Sequence, residues 1–222
     1  VVHSSWLHSL FLQSFLKEFP VHLIHSGVDI HLFSPRKDFS RIYARYPIEH
    51  KKIILGVASI WDPRKGLNDF KALSKQLPQE YLIVLIGISE KDRKDLPQNI
   101  LAISRTENIS ELADWYSLAG VFVNPTWQDN FPTTNLEALS CGTPVITYNS
   151  GGSPEAIDSN TGFVVNKGQV NDLKDAILRI FGEDRAQIAL KCRQRAVSMF
   201  NKEKQFGLYL DLFEKSMANM PK

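Results

Sequence analysis

Short apolar runs alternate along the chain with segments in which apolar residues recur at every third or fourth position. The runs predict β-strands at residues 21–25, 52–60, 81–87, 100–104, 120–125, 143–148 and 162–165. Most of these runs are apolar throughout, which is typical of strands buried on both faces of a sheet. Helical spacing follows the strands, as in Leu67, Phe70 and Leu73, and further helices are predicted at residues 171–181 and 184–199. The alternation predicts a doubly wound, parallel α/β sheet with crossover helices.

The two ends of the chain differ from this pattern. Residues 1–20 predict a helix with one apolar face, yet no strand precedes it for that face to cover, and the chain starts with Val instead of Met. We therefore expect residues 1–20 to be the end of an absent N-terminal domain. Residues 21–36 are predicted to be an interdomain linker that contains the first strand, and residues 37–200 the globular domain. Residues 201–222 predict a C-terminal helix that, like the first one, would pack on the absent domain.

Composition limits the classes of partner. The chain of 222 residues is 43% hydrophobic and 23% charged, which suits one large folded domain. Its formal net charge of +2 creates no overall field that would attract nucleic acid, so we expect no nucleic-acid partner. No apolar run reaches the roughly 20 residues of a membrane span. Cys141 and Cys192 lack the spacing of a zinc or redox motif, which favours a reducing, cytoplasmic location.

A basic loop follows the predicted strand at residues 52–60. It contains Arg64 and Lys65, and the adjacent Gly66 would let the backbone approach a ligand closely. Ligands of open parallel sheets bind beyond the carboxyl ends of the strands, so this position suits a phosphate group. The alternative is a solvent-exposed loop with an ordinary basic pair.

The stretch DNFPTTNLEALSCGTP, residues 129–144, carries two acidic residues around a predicted helix start. The helix is predicted to begin around Phe131, Pro132, Thr133 and Thr134 and to end near Cys141, with Gly142 as its C′ residue. The first-turn N–H groups of a helix concentrate about half a positive charge, which favours a diphosphate. Glu137 lies one turn into the helix, where a carboxylate would accept hydrogen bonds from two ribose hydroxyls, and Asp129 would reach the far side of the phosphates. Alternatively, Asp129 serves the turn and Glu137 lies on the surface.

A third loop, at residues 148–157, follows the next predicted strand. Gly151 and Gly152 give it a flexible backbone, and Ser153 is predicted to start another helix whose N–H groups converge on the same ligand. Glycine pairs without ligands are common in loops. The order of the three loops along the chain is more informative than any one of them.

This ordered set resembles the C-terminal, nucleotide-sugar-binding domain of GT-B glycosyltransferases of the large retaining "group 1" family. The matching segments are HSSWL at 3–7, VHLIHSGVDIHLFSP at 21–35, RKG at 64–66, DNFPTTNLEALSCGTPVI at 129–146, GGSPEAI at 151–157 and TGFVV at 161–165. The resemblance spans nearly the whole chain. It implies the Rossmann-like C-terminal half of a GT-B fold and a hexosyltransferase that is inactive without its N-terminal, acceptor-binding half. It also implies a role in bacterial polysaccharide or glycoconjugate synthesis, with a carbohydrate or lipid-linked acceptor, in the cytoplasm or at the periphery of the inner membrane.

The resemblance also assigns roles to residues. Lys65 and Arg64 would neutralise the donor diphosphate, with Asp129 facing the transferred sugar as the third residue of the catalytic group. The donor-binding residues would be Glu137 at the ribose, the helix start at Phe131, Pro132, Thr133 and Thr134 at the diphosphate, Gly151 and Gly152 beside it, and Arg105, within residues 103–106, at the base. The implied enzyme retains the anomeric configuration and uses neither a metal nor a cofactor, and the chain contains no Asp-x-Asp sequence.

Two positions depart from the family pattern. The acidic signature usually begins with Glu, whereas this chain has the shorter Asp129. The family often has an Arg at the position that Ser59 occupies here, so we hypothesise that Arg64 supplies the missing charge.

Other classes of site and enzyme fit less well. Five of the six histidines lie within the first 31 residues, but they form no HExxH or His-Cys pattern, so we expect packing roles for them and no metal site. Trp115 is expected in the core and Trp6 at a domain interface, whereas Trp61 and Trp127 either line the sugar pocket or pack within loops. A dinucleotide dehydrogenase is disfavoured because GVASIWDPRKG lacks G-x-G-x-x-G. A nucleotide-sugar epimerase, a phosphorylase and a non-catalytic nucleotide-binding module remain alternatives.

Overall fold

The computed structural model describes residues 1–218, so the last four residues of the helix predicted at 201–222 lie outside the described part. Six parallel strands form one sheet. They are β1 Lys52–Val57, β2 Tyr81–Ile86, β3 Ile100–Ile103, β4 Val121–Asn124, β5 Val145–Tyr148 and β6 Gly162–Val165. The predicted Rossmann-like parallel α/β fold is therefore confirmed.

The strand order is β3-β2-β1-β4-β5-β6. The chain winds outward in one direction from β1 to β3 and then crosses back to add β4 on the other side of β1, where Ile54 pairs with Val121 and Leu55 with Phe122. The loops that leave β1 and β4 therefore diverge at the carboxyl edge of the sheet. This topological switch point is where ligands of such sheets bind.

Helices cover both faces of the sheet. They are α1 Ser5–Leu12, α2 Ser40–Arg45, α3 Leu67–Ser74, α4 Glu90–Arg93, α5 Ile109–Leu118, α6 Thr133–Ser140, α7 Val170–Gly182, α8 Arg185–Met199 and α9 Lys202–Ala218. Neighbouring strand residues point to opposite faces, so Ile54 packs in the core with α3 and α7, whereas Leu55 packs in the core with α5, α6 and α8. This two-sided burial explains why the strands are apolar at nearly every position.

The strand predicted at residues 21–25 is wrong. This segment forms only an isolated parallel bridge, in which Leu23 pairs with Val2. Two backbone hydrogen bonds support the bridge, from Val2 N to His22 O at 2.9 Å and from Ile24 N to Val2 O at 3.0 Å. Apolar alternation describes which side chains are buried, and Ile24 is indeed buried, but it does not supply a neighbouring strand.

The first helix is attached to the domain by its N-terminus. Ser4 caps α1 by accepting a hydrogen bond from Leu7 N at 3.1 Å. The Glu155 carboxylate accepts from Ser5 N at 2.7 Å and from Trp6 N at 2.8 Å, which places a negative charge at the positive end of the helix. The loop after β5 therefore anchors the N-terminal segment.

Both ends of the chain expose large apolar side chains. Beyond α1, Phe15 is 89% exposed and Phe19 63% exposed, and on α9 Leu210 is 62% exposed and Met217 70% exposed. Such side chains are typical of surfaces that another part of a protein covers. The packing of both ends on a further domain stays a prediction.

One arginine connects the linker, α6 and α8. Arg193 Nη1 donates to Phe33 O and Ser140 O, both at 2.9 Å, and Nη2 donates to Ile30 O at 2.8 Å. The planar guanidinium is suited to such divergent acceptors because it presents five donors in a fixed geometry.

Arg193→Ala is expected to lower the free energy of unfolding by about 3 kcal/mol, because it leaves the carbonyl groups of Ile30 and Ser140 without this donor. Chemical denaturation of the variant measures this loss. Gln194→Ala, at an exposed neighbouring position of the same helix, serves as the control and is expected to cost about 0.5 kcal/mol or less. Equal stability of the two variants would contradict the assigned role.

Candidate donor-binding site

A cavity of about 300 Å³ lies at the switch point of the sheet. Its lining comes from the end of β1 and the following loop, the end of β4, and the start of α6. The lining residues are Val57, Ala58, Ser59, Lys65, Asn124, Asp129, Phe131, Pro132, Thr133 and Thr134. The structure thus brings together six of the residues predicted from the sequence, whereas Arg64, Arg105, Glu137, Gly151 and Gly152 do not line this cavity.

Lys65 is held by a tight turn. Residues Pro63–Lys65 form a single 3-10 turn, and Asp62 caps it by accepting from Arg64 N at 2.8 Å. The turn is fixed to the loop after β4, because Trp127 N donates to Arg64 O at 2.7 Å. Gly66 has φ +74°, and a Cβ there would collide with Pro125 O. The glycine is therefore needed for close approach between two protein loops, not for approach to a ligand as the sequence suggested.

Arg64 does not line the cavity and forms an ion pair with Asp62. Its Nη2 lies 2.6 Å from Asp62 Oδ2 and its Nε 3.1 Å from the same oxygen, while the side chain is 64% exposed. The hydrogen bond from Arg64 holds the pKa of the Asp62 carboxyl below its usual value. The phosphate-binding role of Arg64 thus remains a prediction. In this structure the Arg64 guanidinium is paired with the Asp62 carboxylate.

Lys65 and Asp129 form an ion pair inside the cavity. Lys65 Nζ lies 2.7 Å from Asp129 Oδ2, and the two side chains are 32% and 17% exposed, respectively. The pair joins the loop after β1 to the loop after β4, so it spans the switch point.

The start of α6 provides the second positive element of the cavity. Pro132 is the N-cap residue, and no side chain within residues 1–218 caps the first turn. Thr133 and Thr134, the first two helical residues, face the cavity. A first turn without a side-chain cap leaves N–H groups and the positive end of the helix dipole for a ligand.

A buried polar network fixes the direction of α6. Asn124 Nδ2 on β4 donates to Asn135 Oδ1 at 2.8 Å, and Asn135 Nδ2 donates to Ser153 Oγ at 3.0 Å. Ser153 Oγ also lies 2.7 Å from Thr147 Oγ1 on β5. Buried amides are costly unless their hydrogen bonds are made, so this network specifies one position of the helix start. The sequence analysis missed it, although a polar residue at the end of an apolar run, as in GVFVNP, was the available signal.

Glu137 is a half-buried carboxylate one turn into α6. Its Oε2 accepts a hydrogen bond from the hydroxyl of Tyr116, a fully buried residue on α5, at 2.9 Å. Burial raises the pKa of Glu137 above its ordinary value of 4.5, although the hydrogen bonds from Tyr116 and Thr133 act in the opposite direction. The alternative that Glu137 is an ordinary surface residue is therefore wrong, and its predicted contact with ribose stays a prediction.

The glycine pair packs against the acidic loop. Gly151 has φ +56°, and a Cβ there would collide with Asp129 O, while a Cβ on Gly152 would collide with Asn130 O. Gly152 N donates to Asp129 O at 3.1 Å. The two glycines therefore hold the backbone of the Asp129 loop in place.

The helix predicted to start at Ser153 is wrong. Residues Ser153–Ala156 form a single 3-10 turn. Its amide groups do not converge on the cavity, because Ser153 N donates to Ser150 O at 3.1 Å and Glu155 N donates to Gly152 O at 3.2 Å. Pro154 has no N–H to offer, so the turn is closed on itself.

The remaining candidates lie outside the cavity. Arg105 is exposed just after β3, at the same edge of the sheet. Trp61 is buried and its Nε1 donates to Ile86 O at 3.0 Å, while Trp127 Nε1 donates to Asp69 Oδ2 at 2.8 Å. Loop packing accounts for both, and Trp115 lies in the core as predicted.

His3 and His25 contact neighbouring groups, whereas His22 and His31 are exposed. His25 stacks on Phe131 with ring centroids 4.8 Å apart, and His3 Nδ1 lies 3.1 Å from Ile24 O. Within residues 1–218, no group of three or more His, Cys, Asp or Glu residues is arranged to hold a metal ion. None of the described helices combines the length and the apolar character that crossing a membrane requires.

Comparison with known proteins identifies the family. A family model described as Glycosyl transferases group 1 matches residues 51–183. The chain therefore belongs to the Glycosyl transferases group 1 family, as its motifs predicted.

Curated relatives cover most of this chain. The D-inositol 3-phosphate glycosyltransferase of Corynebacterium jeikeium is 27% identical over 190 residues, which is 77% of this chain and 45% of the relative. The alpha-galactosylglucosyldiacylglycerol synthase of Streptococcus pneumoniae is 26% identical over 198 residues, which is 83% of this chain and 51% of the relative. The chain thus spans about half the length of the curated relatives it matches.

Solved structures agree with a C-terminal GT-B domain. The sucrose-phosphate synthase of Thermosynechococcus elongatus aligns with 99% of this chain and 58% of its own, with a TM-score of 0.85 and 26% identity. Anabaena HepE, solved in complex with UDP-glucose, aligns with 96% of this chain and 63% of its own, with a TM-score of 0.83. Its identity of 17% shows a shared fold alone.

The burial of Glu137 predicts an effect on stability. Because the pKa of Glu137 is raised in the folded state, its contribution to stability is complete below the unfolded pKa and is lost as pH rises through the folded pKa. Glu137→Gln removes this loss, so we expect the variant to melt at a higher temperature than the parent chain at pH 7 and at a similar temperature near pH 4. Melting curves across this range test the expectation.

Glu49→Gln is the matched control, since Glu49 is exposed, and it should leave the pH dependence unchanged. A lower melting temperature for Glu137→Gln at pH 7 would show that ionised Glu137 stabilises the empty domain.

Proposed function

We propose that this chain is the donor-binding domain of a glycosyltransferase that transfers a hexose from a nucleoside-diphosphate sugar, with retention of anomeric configuration and without a metal or cofactor. One observation carries the proposal: Lys65 and the uncapped start of α6 line a single cavity at the switch point of the sheet. A cation and a helix N-terminus on one cavity suit a diphosphate.

The two ends of the donor would be held by the two acidic residues. Glu137 is a half-buried acceptor that the Tyr116 hydroxyl orients, so it is pre-arranged to accept hydrogen bonds from ribose hydroxyls beside α6. Asp129 lines the cavity next to Lys65 and would face the transferred sugar. Arg105 and the residues around it lie after β3 at the same edge, where we place the base.

The proposed chemistry depends on charge at the leaving group. When the bond between the anomeric carbon and the phosphate oxygen breaks, its electron pair goes to the diphosphate. Donors fixed in advance at that position stabilise the transition state more than water does, since they need no reorganisation. Retention would follow if the acceptor attacks from the face on which the diphosphate leaves.

The acceptor would be bound by a part of the enzyme outside this chain. The chain spans 45% to 51% of the relatives described above, and their names include a diacylglycerol glycolipid synthase and an inositol phosphate glycosyltransferase. We propose a carbohydrate or lipid-linked acceptor in a bacterial polysaccharide or glycoconjugate pathway, with the enzyme in the cytoplasm or at the periphery of the inner membrane. The 222-residue chain would then bind nucleotide but transfer no sugar.

Calorimetric titration of the chain with UDP, GDP, ADP and their sugars tests donor binding. We expect at least one nucleotide to bind, and Lys65→Ala to weaken its binding about 10- to 100-fold, because a charge-assisted hydrogen bond is worth about 1.5–3 kcal/mol. Arg64→Ala tests whether that residue replaces the family arginine. The hypothesis that Arg64 supplies the missing charge fails if Arg64→Ala leaves the nucleotide affinity unchanged. If the parent chain binds none of the nucleotides, the proposed function is refuted.

Product analysis separates the proposed transferase from an epimerase. We expect the chain alone to leave a bound nucleotide sugar unchanged over a long incubation, because the acceptor site is missing. Release of free or epimerised sugar, or transfer to an added acceptor by this chain alone, would contradict the assignment.

A further inference from the structure

The Lys65–Asp129 ion pair occupies the place that the proposed function gives to the diphosphate. Asp129 Oδ2 accepts from Lys65 Nζ at 2.7 Å, and this is the one hydrogen bond that the structure gives the Lys65 ammonium within residues 1–218. A phosphate oxygen that binds Lys65 must therefore compete with the Asp129 carboxylate for it.

The surroundings keep both partners in position. Arg64, the nearest other cation on the loop, is already held by Asp62, so it does not replace Lys65 as a partner for Asp129. The backbone of Asp129 is fixed by Gly152 N and by the close approach of Gly151. Asp129 can therefore change partner by rotating its side chain while these backbone contacts stay in place.

We propose that Asp129 is a specificity-determining residue that favours a sugar-bearing donor over the bare nucleoside diphosphate. This inference rests on the proposed function. When a diphosphate takes Lys65, the Asp129 carboxylate loses its partner, is only 17% exposed, and faces another anion. An unpaired carboxylate in that position is unfavourable.

A hexose compensates this loss, whereas a bare diphosphate does not. The hydroxyls of a hexose on the terminal phosphate donate hydrogen bonds to the freed carboxylate, and a carboxylate accepts two such bonds at once. A bare nucleoside diphosphate instead places a terminal phosphate of higher charge near Asp129 and offers no hydroxyl there. The Asp129 carboxylate thus weakens binding of the bare nucleoside diphosphate and strengthens binding of the nucleotide sugar.

The exchange also affects release of the product after transfer. Once the sugar has left, Asp129 again lacks hydrogen-bond donors while the product diphosphate still holds Lys65. Re-formation of the ion pair then helps to displace the product. In this scheme the pair opens for the donor and closes behind the departing diphosphate.

The test compares bare nucleotides with their sugars in one titration series. The ligands are UDP, GDP and ADP, the matching UDP-glucose, GDP-mannose and ADP-glucose, and inorganic pyrophosphate. Asp129→Asn, which preserves the size of the side chain, is expected to bind the bare diphosphate about two- to fivefold more tightly than the parent chain, the range expected for releasing a partly exposed ion pair. The variant is expected to bind the nucleotide sugar about two- to tenfold more weakly.

Glu90→Gln is the matched control. It removes one negative charge at the start of α4, which follows β2 at the same edge of the sheet, and it leaves Lys65 and Arg64 with their partners. If the two variants tighten diphosphate binding equally, a general change in charge explains the result and the proposal is wrong. The proposal is also overturned if Asp129→Asn leaves diphosphate affinity unchanged or weakens it, since the carboxylate would then orient Lys65 instead of competing for it. Failure of the proposed function is a separate outcome, in which the parent chain binds none of these ligands.

Discussion

A parallel sheet that is buried on both faces leaves only its edges for a ligand. In this protein, α3 and α7 cover one face and α5, α6 and α8 cover the other. The reversal of strand order between β1 and β4 separates two loops at the carboxyl edge and opens a cavity there. Lys65 comes from one of these loops and Asp129 from the other. The position of the site therefore follows from the topology, because the loops after β1 and β4 lie on either side of this cavity and the Lys65–Asp129 ion pair joins them.

Rigidity at this edge comes from contacts between protein groups. The network of Asn124, Asn135 and Ser153 positions the start of α6, and Gly151 and Gly152 lie too close to the Asp129 loop for any side chain. From the same turn, Glu155 reaches the first helix of the chain. A single short segment thus contacts both the acidic loop and the N-terminal segment.

Most of the sheet and much of the site could be predicted from the sequence, since burial on two faces demands long apolar runs and the motifs lie at their carboxyl ends. The failures have physical causes. Within residues 21–25, Ile24 is the buried apolar residue. The apolar pattern does not reveal whether a partner strand exists, and this segment forms only an isolated bridge. The amide groups of the turn at Ser153 donate to neighbouring carbonyl groups. Gly66 is required because Pro125 O lies too close for a side chain. In each case a local pattern was correct about backbone conformation or burial but did not identify the partner.

The two acidic residues of the signature show how one motif places two carboxylates in different states. Glu137 is desolvated and is held by the hydroxyl of Tyr116, so burial disfavours its charge even while hydrogen bonds favour it. Asp129 pairs with Lys65 at the cavity, and in the proposed scheme it changes partner when another anion binds that lysine. A ligand that satisfies both must bring hydroxyl groups at its two ends and negative charge between them. Among common metabolites, a sugar joined through a diphosphate to a ribose has this arrangement, which is the class of ligand that the proposed function requires.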